Sequence, residues 1–178
     1  MKIGNYQFEL KKIKFMEALS EETNCFSAIL YVNGQQLAHC KNTGRGGSTD
    51  IHFLPECRKL GQEIEDFLKT QPKIKPEGFD FELDFNLEYI VDDLVQKNLE
   101  AKELRRLMNK TKKYLVFKNT KGGYFTIGWR NETIASLLQK PPYHGVLERT
   151  IAREVSKGNT LLNENIPANL LPSKQKSE

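Results

Sequence analysis

Apolar residues recur at every second position in some stretches of this chain and at every third or fourth in others. These two periods separate strands from helices. Tyr6, Phe8 and Leu10 alternate with polar neighbours, as do Ile13 and Phe15, which predicts short strands over Tyr6–Leu10 and Ile13–Leu19. Ser20 to Asn24 is polar and turn-like. Phe26, Ala28, Leu30 and Val32 then share one face of a strand, with Ser27, Ile29 and Tyr31 on the other. Asn33-Gly34 follows, a pair suited to the two positive φ angles of a type I′ turn, so Gln35–Asn42 should return as the partner strand. This hairpin feeds a loop, Thr43–Thr49, in which Gly44, Gly46 and Gly47 are concentrated.

Helical spacing begins after Pro55, which suits a first helical turn because its missing N–H has no partner there. Leu60, Ile64, Phe67 and Leu68 form one stripe, and Pro72 closes the segment. Lys73–Gly78 reads as a linker. Phe79, Phe81, Leu83 and Phe85 alternate with acids as a short strand or extended arm. Asn86 is placed to cap a helix carrying Leu87, Ile90, Val91, Leu94 and Val95. A break near Asn98 and a basic helix over Ala101–Asn109 are expected next, with Leu104, Leu107 and Met108 inward. A second hairpin joins Tyr114–Lys118 to Tyr124–Trp129 around Asn119–Gly123, placing Leu115 and Phe117 opposite Phe125, Ile127 and Trp129. Asn131 is the expected cap of a short helix ending at Gln139 before Pro141-Pro142. Val146, Leu147, Thr150, Ile151 and Val155 mark a last helix, with Gly158 after its end. Leu161–Leu171 should drape over the core.

Strands, helices, strands and helices in that order predict an α+β fold. The expectation is an N-terminal antiparallel sheet with a hairpin, helices, a second β-hairpin and C-terminal helices. The 178 residues suit one domain, taken as 1–172, with a disordered tail at 173–178. No apolar run approaches the roughly 20 residues of a membrane span, and the N-terminus lacks an apolar signal core. Cys25, Cys40 and Cys57 are odd in number and show no zinc or Cys-x-x-Cys spacing, which predicts reduced, buried thiols in a cytoplasmic protein without a membrane partner.

Charge adds a segregation that the net value of +4 conceals. Residues 76–96 hold seven acids and no lysine or arginine, whereas 97–130 hold ten basic residues against Glu100 and Glu103. The basic block interleaves with Tyr114, Tyr124 and Trp129, the mixture that tracks phosphates and stacks bases. Arg105, Arg106, Lys112, Lys113, Lys118 and Lys121 are therefore candidate nucleic-acid contacts. The acidic block equally suits neutralisation of the basic one, within a molecule or across a homodimer.

Several segments carry a resemblance. Ser20-Glu21-Glu22-Thr23, the Phe26–Gly34 strand and turn, and Asn42-Thr43-Gly44-Arg45-Gly46-Gly47 resemble a family of small, uncharacterised accessory proteins of bacteriophages, prophages and other mobile elements. Ile90-Val91-Asp92-Asp93-Leu94, Lys102-Glu103-Leu104 and Tyr114–Phe117 fit the same family in order. Histidine is frequent there where this chain has Arg45. The resemblance implies an accessory protein working in the host cytoplasm, and it implies no cofactor or catalytic residue.

Three chemistries follow as expectations. Gly44, Arg45, Gly46, Gly47, Ser48 and Thr49, with His52, form a candidate ligand-binding loop. Its backbone amides and side-chain donors would hold a phosphate-bearing ligand, although it lacks a Walker lysine and the Gly-x-Gly-x-x-Gly spacing. Glu21, Glu22, His39, Asp50 and His52, near the cysteines, contain residue types for a metal-dependent hydrolase or nuclease, with Glu22, Asp50 and His52 as its core. Their spacing matches no metal motif. The reading favoured by the sequence is a non-catalytic protein that binds a host protein or small anionic ligand, in interference with host defence. Nucleic-acid binding is the alternative and hydrolysis the third.

Overall fold

The computed structural model describes residues 1–75 and 80–172. The fold is α+β, and its residues group into two compact units, Met1–Leu99 and Glu100–Glu178.

In the first unit, β1 (Lys2–Ile3), β2 (Tyr6–Phe15), β3 (Phe26–Val32), β4 (Gln35–Asn42) and β5 (Asp50–Phe53) form one sheet in sequence order. All neighbouring pairs are antiparallel. The central hairpin follows the alternation closely: Phe26, Ala28, Leu30 and Val32 are buried, and Asn33 and Gly34 take φ values of 50° and 83°. The two short strands expected near the N-terminus are one strand, β2. Its register slips between Lys11 and Lys14, and Lys12 takes a left-handed φ of 52°. That bulge shifts the inside-outside alternation, which is why the pattern reads as two pieces. Glu17–Leu19 is a 3-10 turn rather than strand.

Asp50–Phe53 is a strand that the sequence pattern did not announce, because it is short and directly follows the glycine loop. A 3-10 turn at Pro55–Cys57 opens helix α1 (Arg58–Lys69), which buries Ile64 and Leu68 against the sheet's inner face. The linker and acidic strand expected over 73–85 fall partly on Pro76–Phe79, outside the described residues. Elsewhere in that stretch one bridge joins Ile74 to Leu83, and Phe81 and Leu83 are exposed.

Helix α2 (Leu87–Lys110) is continuous through Asn98, so the expected break is absent. Asparagine costs a helix interior only a few tenths of a kcal/mol, about 0.5 relative to alanine, and cannot end it alone. Asn86 caps the start by accepting from the Tyr89 amide at 2.8 Å. Leu87, Ile90, Val91 and Val95 are fully buried in the first unit's core. Further along, Leu107 is buried but Leu104 is exposed, so the inward assignment of Leu104 is corrected.

The second unit holds β6 (Leu115–Lys118), β7 (Tyr124–Ile127) and β8 (Thr160–Leu161) in the order β7-β6-β8. Leu115 faces Ile127 and Phe117 faces Phe125, whose rings stack at 5.4 Å. Thr133, not Asn131, caps helix α3 (Ile134–Leu138), its hydroxyl accepting from the Ser136 amide. Asn131 instead supplies a left-handed turn at φ 62°. Pro141 and Pro142 open helix α4 (Pro141–Ser156), in addition to ending the segment before them. Gly158, at φ 86°, closes α4, its amide meeting the Val155 carbonyl. Ile166 and Leu170 pack into this unit's core with Leu147 and Ile151. The tail expectation for 173–178 lies outside the described residues. Among the described residues no helix is long and apolar enough to cross a membrane.

Candidate functional site

Asn42 ends β4 on the same face as the buried Ala38 and Cys40, so a polar amide is carried to the inner side of the sheet. Burial of an amide is tolerated when every polar atom is paired, and the glycine loop folds around Asn42 accordingly. Its Oδ1 accepts from the Gly44 amide at 2.8 Å and from the Thr23 hydroxyl at 2.9 Å. Its Nδ2 donates to the Gly47 carbonyl at 3.0 Å and to Thr49 Oγ1 at 3.1 Å. The Gly44 carbonyl in turn accepts from the amides of Glu21, Glu22 and Thr23. At φ 85°, Gly44 brings its Cα against the Leu19 carbonyl and Cys25, where no side chain fits.

The far end of the loop is tied to α2. The Thr49 amide donates to Glu88 Oε1 at 2.8 Å, and the Thr49 hydroxyl donates to Asp92 Oδ1 at 2.7 Å. Glu88 and Asp92 are one helical turn apart and share a face. Desolvation beside the loop pushes the Asp92 carboxyl above its usual range, the Thr49 hydroxyl pulls it back, and the neighbouring Glu88 charge pushes it up again. Among the described residues no lysine or arginine is ion-paired with either acid.

Between loop and helix lies a cleft of about 460 Å³, lined among others by Thr23, Gly46, Gly47, Ser48, Glu88 and Asp92. A second concavity, of about 620 Å³, shares Asn24, Glu88 and Asp92 with it and adds Leu83, Asp84, Tyr89 and Asp93. Asp84 is paired with Lys73 at 3.6 Å, and Asp93 with Lys97 at 2.7 Å. Leu83 and Tyr89 are exposed there. The groove is thus an acidic surface with apolar side chains beside it.

This geometry rearranges the expected loop site. Gly44, Gly46, Gly47, Ser48 and Thr49 are together, but the amides of Gly44, Gly46 and Thr49 already bond to Asn42, Thr23 and Glu88. A nest for phosphate needs free amides and a positive field. Three of this loop's six amides are already so committed, and the loop faces two carboxylates. Arg45 is exposed and does not line the cleft. His52 lies on β5, paired across the strands with His39, on the sheet's solvent side.

The hydrolase trio is not assembled either. Glu22 packs against Gly46, whereas Asp50 and His52 project from β5, where Asp50 pairs with Lys41 at 3.6 Å. Among the described residues no three histidines, cysteines or acids are grouped to hold a metal. All three cysteines are buried, and burial pushes the Cys40 thiol up to about 12, which removes it as a thiolate nucleophile. Arg105, Arg106, Lys112, Lys113, Lys118 and Lys121 are all exposed on the second unit.

Thr23, Asn42, Glu88 and Asp92 are the site residues that sequence reasoning missed. Asn42 had a signal, since the alternation Ala38, Cys40, Asn42 puts a polar residue at an inward position. Comparison with known proteins gives no match to a family model, a curated protein or a solved structure.

Proposed function

We propose that this protein is a non-catalytic binding module whose groove, between the glycine loop and the first turns of α2, takes a positively charged segment of a host protein. The observation that carries the reading is the pair Glu88 and Asp92. Two adjacent carboxylates face an open cleft with no cation paired to them among the described residues. An ammonium or guanidinium placed between them would relieve their mutual repulsion and gain charge-assisted hydrogen bonds. Leu83 and Tyr89 supply apolar surface for the rest of such a segment. The carboxylates argue against a phosphate in this cleft, so of the two partners expected for the loop the host protein is retained.

The resemblance to phage and mobile-element accessory proteins supports the same setting. Several of its stretches contribute to the cleft lining, through Thr23, through Asn42, Gly46 and Gly47, and through Asp92. Interference with a host defence factor in the host cytoplasm is the role this setting suggests. The test is fluorescence anisotropy with a lysine- and arginine-rich peptide, titrated against the chain and its Glu88→Gln and Asp92→Asn variants. Loss of affinity of about tenfold per variant is expected; affinity unchanged in both would overturn the reading.

One observation favours a second reading, nucleic-acid binding by the other unit. Arg105, Arg106, Lys112, Lys113, Lys118 and Lys121 form no ion pair among the described residues, and Tyr114 and Tyr124 stand exposed in the same stretch. Affinity for DNA should then fall steeply with salt and be lost in Arg105→Glu/Arg106→Glu. Unaltered retention of that variant on heparin and DNA columns would end it.

A further inference from the structure

The solvent-facing side of the five-stranded sheet carries its own cluster, separate from the groove. Cross-strand register lines up two rungs there. Lys14 stands opposite Ser27, Ser27 opposite Lys41, and Lys41 opposite Asp50. In the next rung Lys11 faces Ile29, Ile29 faces His39, and His39 faces His52. Neighbouring strands lie about 4.8 Å apart, so side chains on one rung reach a common small ligand.

The bulge in β2 adds to this. Lys12 is the extra residue, held at φ 52°, and such bulges re-aim side chains at functional surfaces. Lys12, Lys14, Ser27, His39, Lys41 and His52 together line a concavity of about 310 Å³. Its charges are one-sided. Lys12 and Lys14 form no ion pair among the described residues, and the carboxylate on the first rung, Asp50, is held by Lys41 at 3.6 Å across an exposed pair worth little. Lys11 is occupied elsewhere, pairing with Glu9 and lying over the Tyr31 ring. Three ammonium groups, two imidazoles and a hydroxyl therefore line one concavity, with His39 Nε2 also meeting Gln36 Nε2 at 3.4 Å.

We infer that this sheet face is a binding site for a small phosphorylated molecule, with Lys12, Lys14 and Lys41 meeting the phosphate charge and Ser27, His39 and His52 donating to its oxygens. The concavity lies at the lower end of the range for small-molecule pockets, about 300 Å³. Lysines act here as point charges on a phosphate, and hydrogen bonds from ionised donors are roughly twice as strong as neutral ones. The site is distinct from the groove beside Glu88 and Asp92, because Asn42 points inward where its neighbour Lys41 points outward.

Isothermal titration of the full chain with adenosine 5′-monophosphate, inorganic phosphate, adenosine and a single-stranded oligonucleotide tests it. Binding of both phosphate compounds and not of adenosine is expected, and Lys14→Glu should weaken it about tenfold or more. Asp92→Asn should leave it unchanged, which separates this site from the groove. Tighter binding of the nucleotide than of phosphate would identify a nucleotide ligand, and equal binding the phosphate group alone. Should Lys14→Glu lose its circular dichroism signature, His39→Ala/His52→Ala and Lys14→Gln give the same readout. No binding of either phosphate compound, binding indifferent to all these variants, or binding confined to a single-stranded oligonucleotide would each overturn the inference.

Discussion

The hydroxyl of Thr49 donates to Asp92 Oδ1 at 2.7 Å, tying the end of the glycine loop to a helical residue 43 positions further on. The same oxygen accepts from Asn42 Nδ2, so one hydroxyl links strand, loop and helix. Thr49→Val keeps the shape and removes both bonds, leaving a buried amide donor and a carboxylate oxygen short of partners. The expected cost is about 1–3 kcal/mol, read as a lower denaturation midpoint with an unchanged slope. Thr49→Ser should restore most of it, since only the hydroxyl is at issue. A Thr49→Val chain as stable as the parent would show that the loop is held by its backbone bonds alone.

Asp92 also gives the stability a pH signature. Desolvation and the Glu88 charge raise its carboxyl in the folded chain, against the pull of the Thr49 hydroxyl. The folded state therefore binds this proton more tightly than the unfolded one. Its contribution to stability is present below the unfolded value and is lost as pH rises through the raised folded value. Asp92→Asn should be at least as stable as the parent near neutral pH, because Asn still accepts from Thr49 without repelling Glu88. As pH falls to about 4 the parent should close the gap. A gap that stays constant across that range would mean that Asp92 titrates alike in both states.

Gly44 and Gly34 both take positive φ, 85° and 83°, but their surroundings differ. A Cβ at Gly44 would collide with the Leu19 carbonyl and with Cys25, whereas one at Gly34 meets nothing. Gly34→Ala should cost only the left-handed backbone penalty, about 1 kcal/mol. Gly44→Ala should cost clearly more and, by displacing the loop, weaken peptide binding in the groove as well. Equal thermal shifts for the two variants would show that the loop relaxes around the new side chain.

In the second unit Glu154 is buried at the end of α4 and accepts from Lys157 at 3.0 Å, Arg153 at 2.9 Å and Asn159 at 3.1 Å. The Lys157 hydrogen bond holds its carboxyl below the usual range, burial opposing and Arg153 assisting. A depressed folded value means stability present above the unfolded one and lost as pH falls through the folded one. Glu154→Gln should lower stability by about 1–2 kcal/mol near neutral pH. The difference should shrink in acid as the parent's own carboxylate is protonated, which a series of denaturation curves would show.

The fold was legible wherever local pattern and tertiary burial agree. Phe26 to Val32 alternate because one side of β3 is core, and Asn33-Gly34 forms the turn its residues favour. Reading failed where one residue breaks the period: Lys12, at the bulge, splits β2 in two, and Asn98 suggests an end that α2 does not have. The site was legible as a place but not as a chemistry. The glycines of the loop were visible, yet its polarity is set by Glu88 and Asp92, brought in from a helix far along the chain. No local pattern encodes that meeting. His39 and His52 likewise become neighbours only through the β4–β5 register, and β5 itself is too short for alternation to reveal.

Asn98 carries the last prediction. It lies inside α2, its Oδ1 is buried, and among the described residues that oxygen accepts no hydrogen bond. A buried acceptor without a donor costs about 1–3 kcal/mol, and asparagine is a weaker helix former than alanine by about 0.5 kcal/mol. Asn98→Ala removes both penalties at the expense of a small loss of packing, so the net effect should be stabilising by about 1 kcal/mol. Asn98→Asp keeps the shape and places a charge where a neutral oxygen already lacks a partner, so it should destabilise. Chemical denaturation of the two variants beside the parent decides the matter. If Asn98→Ala proves the less stable chain, the amide is making a contribution that outweighs its unpaired oxygen, and the continuity of α2 would then depend on it.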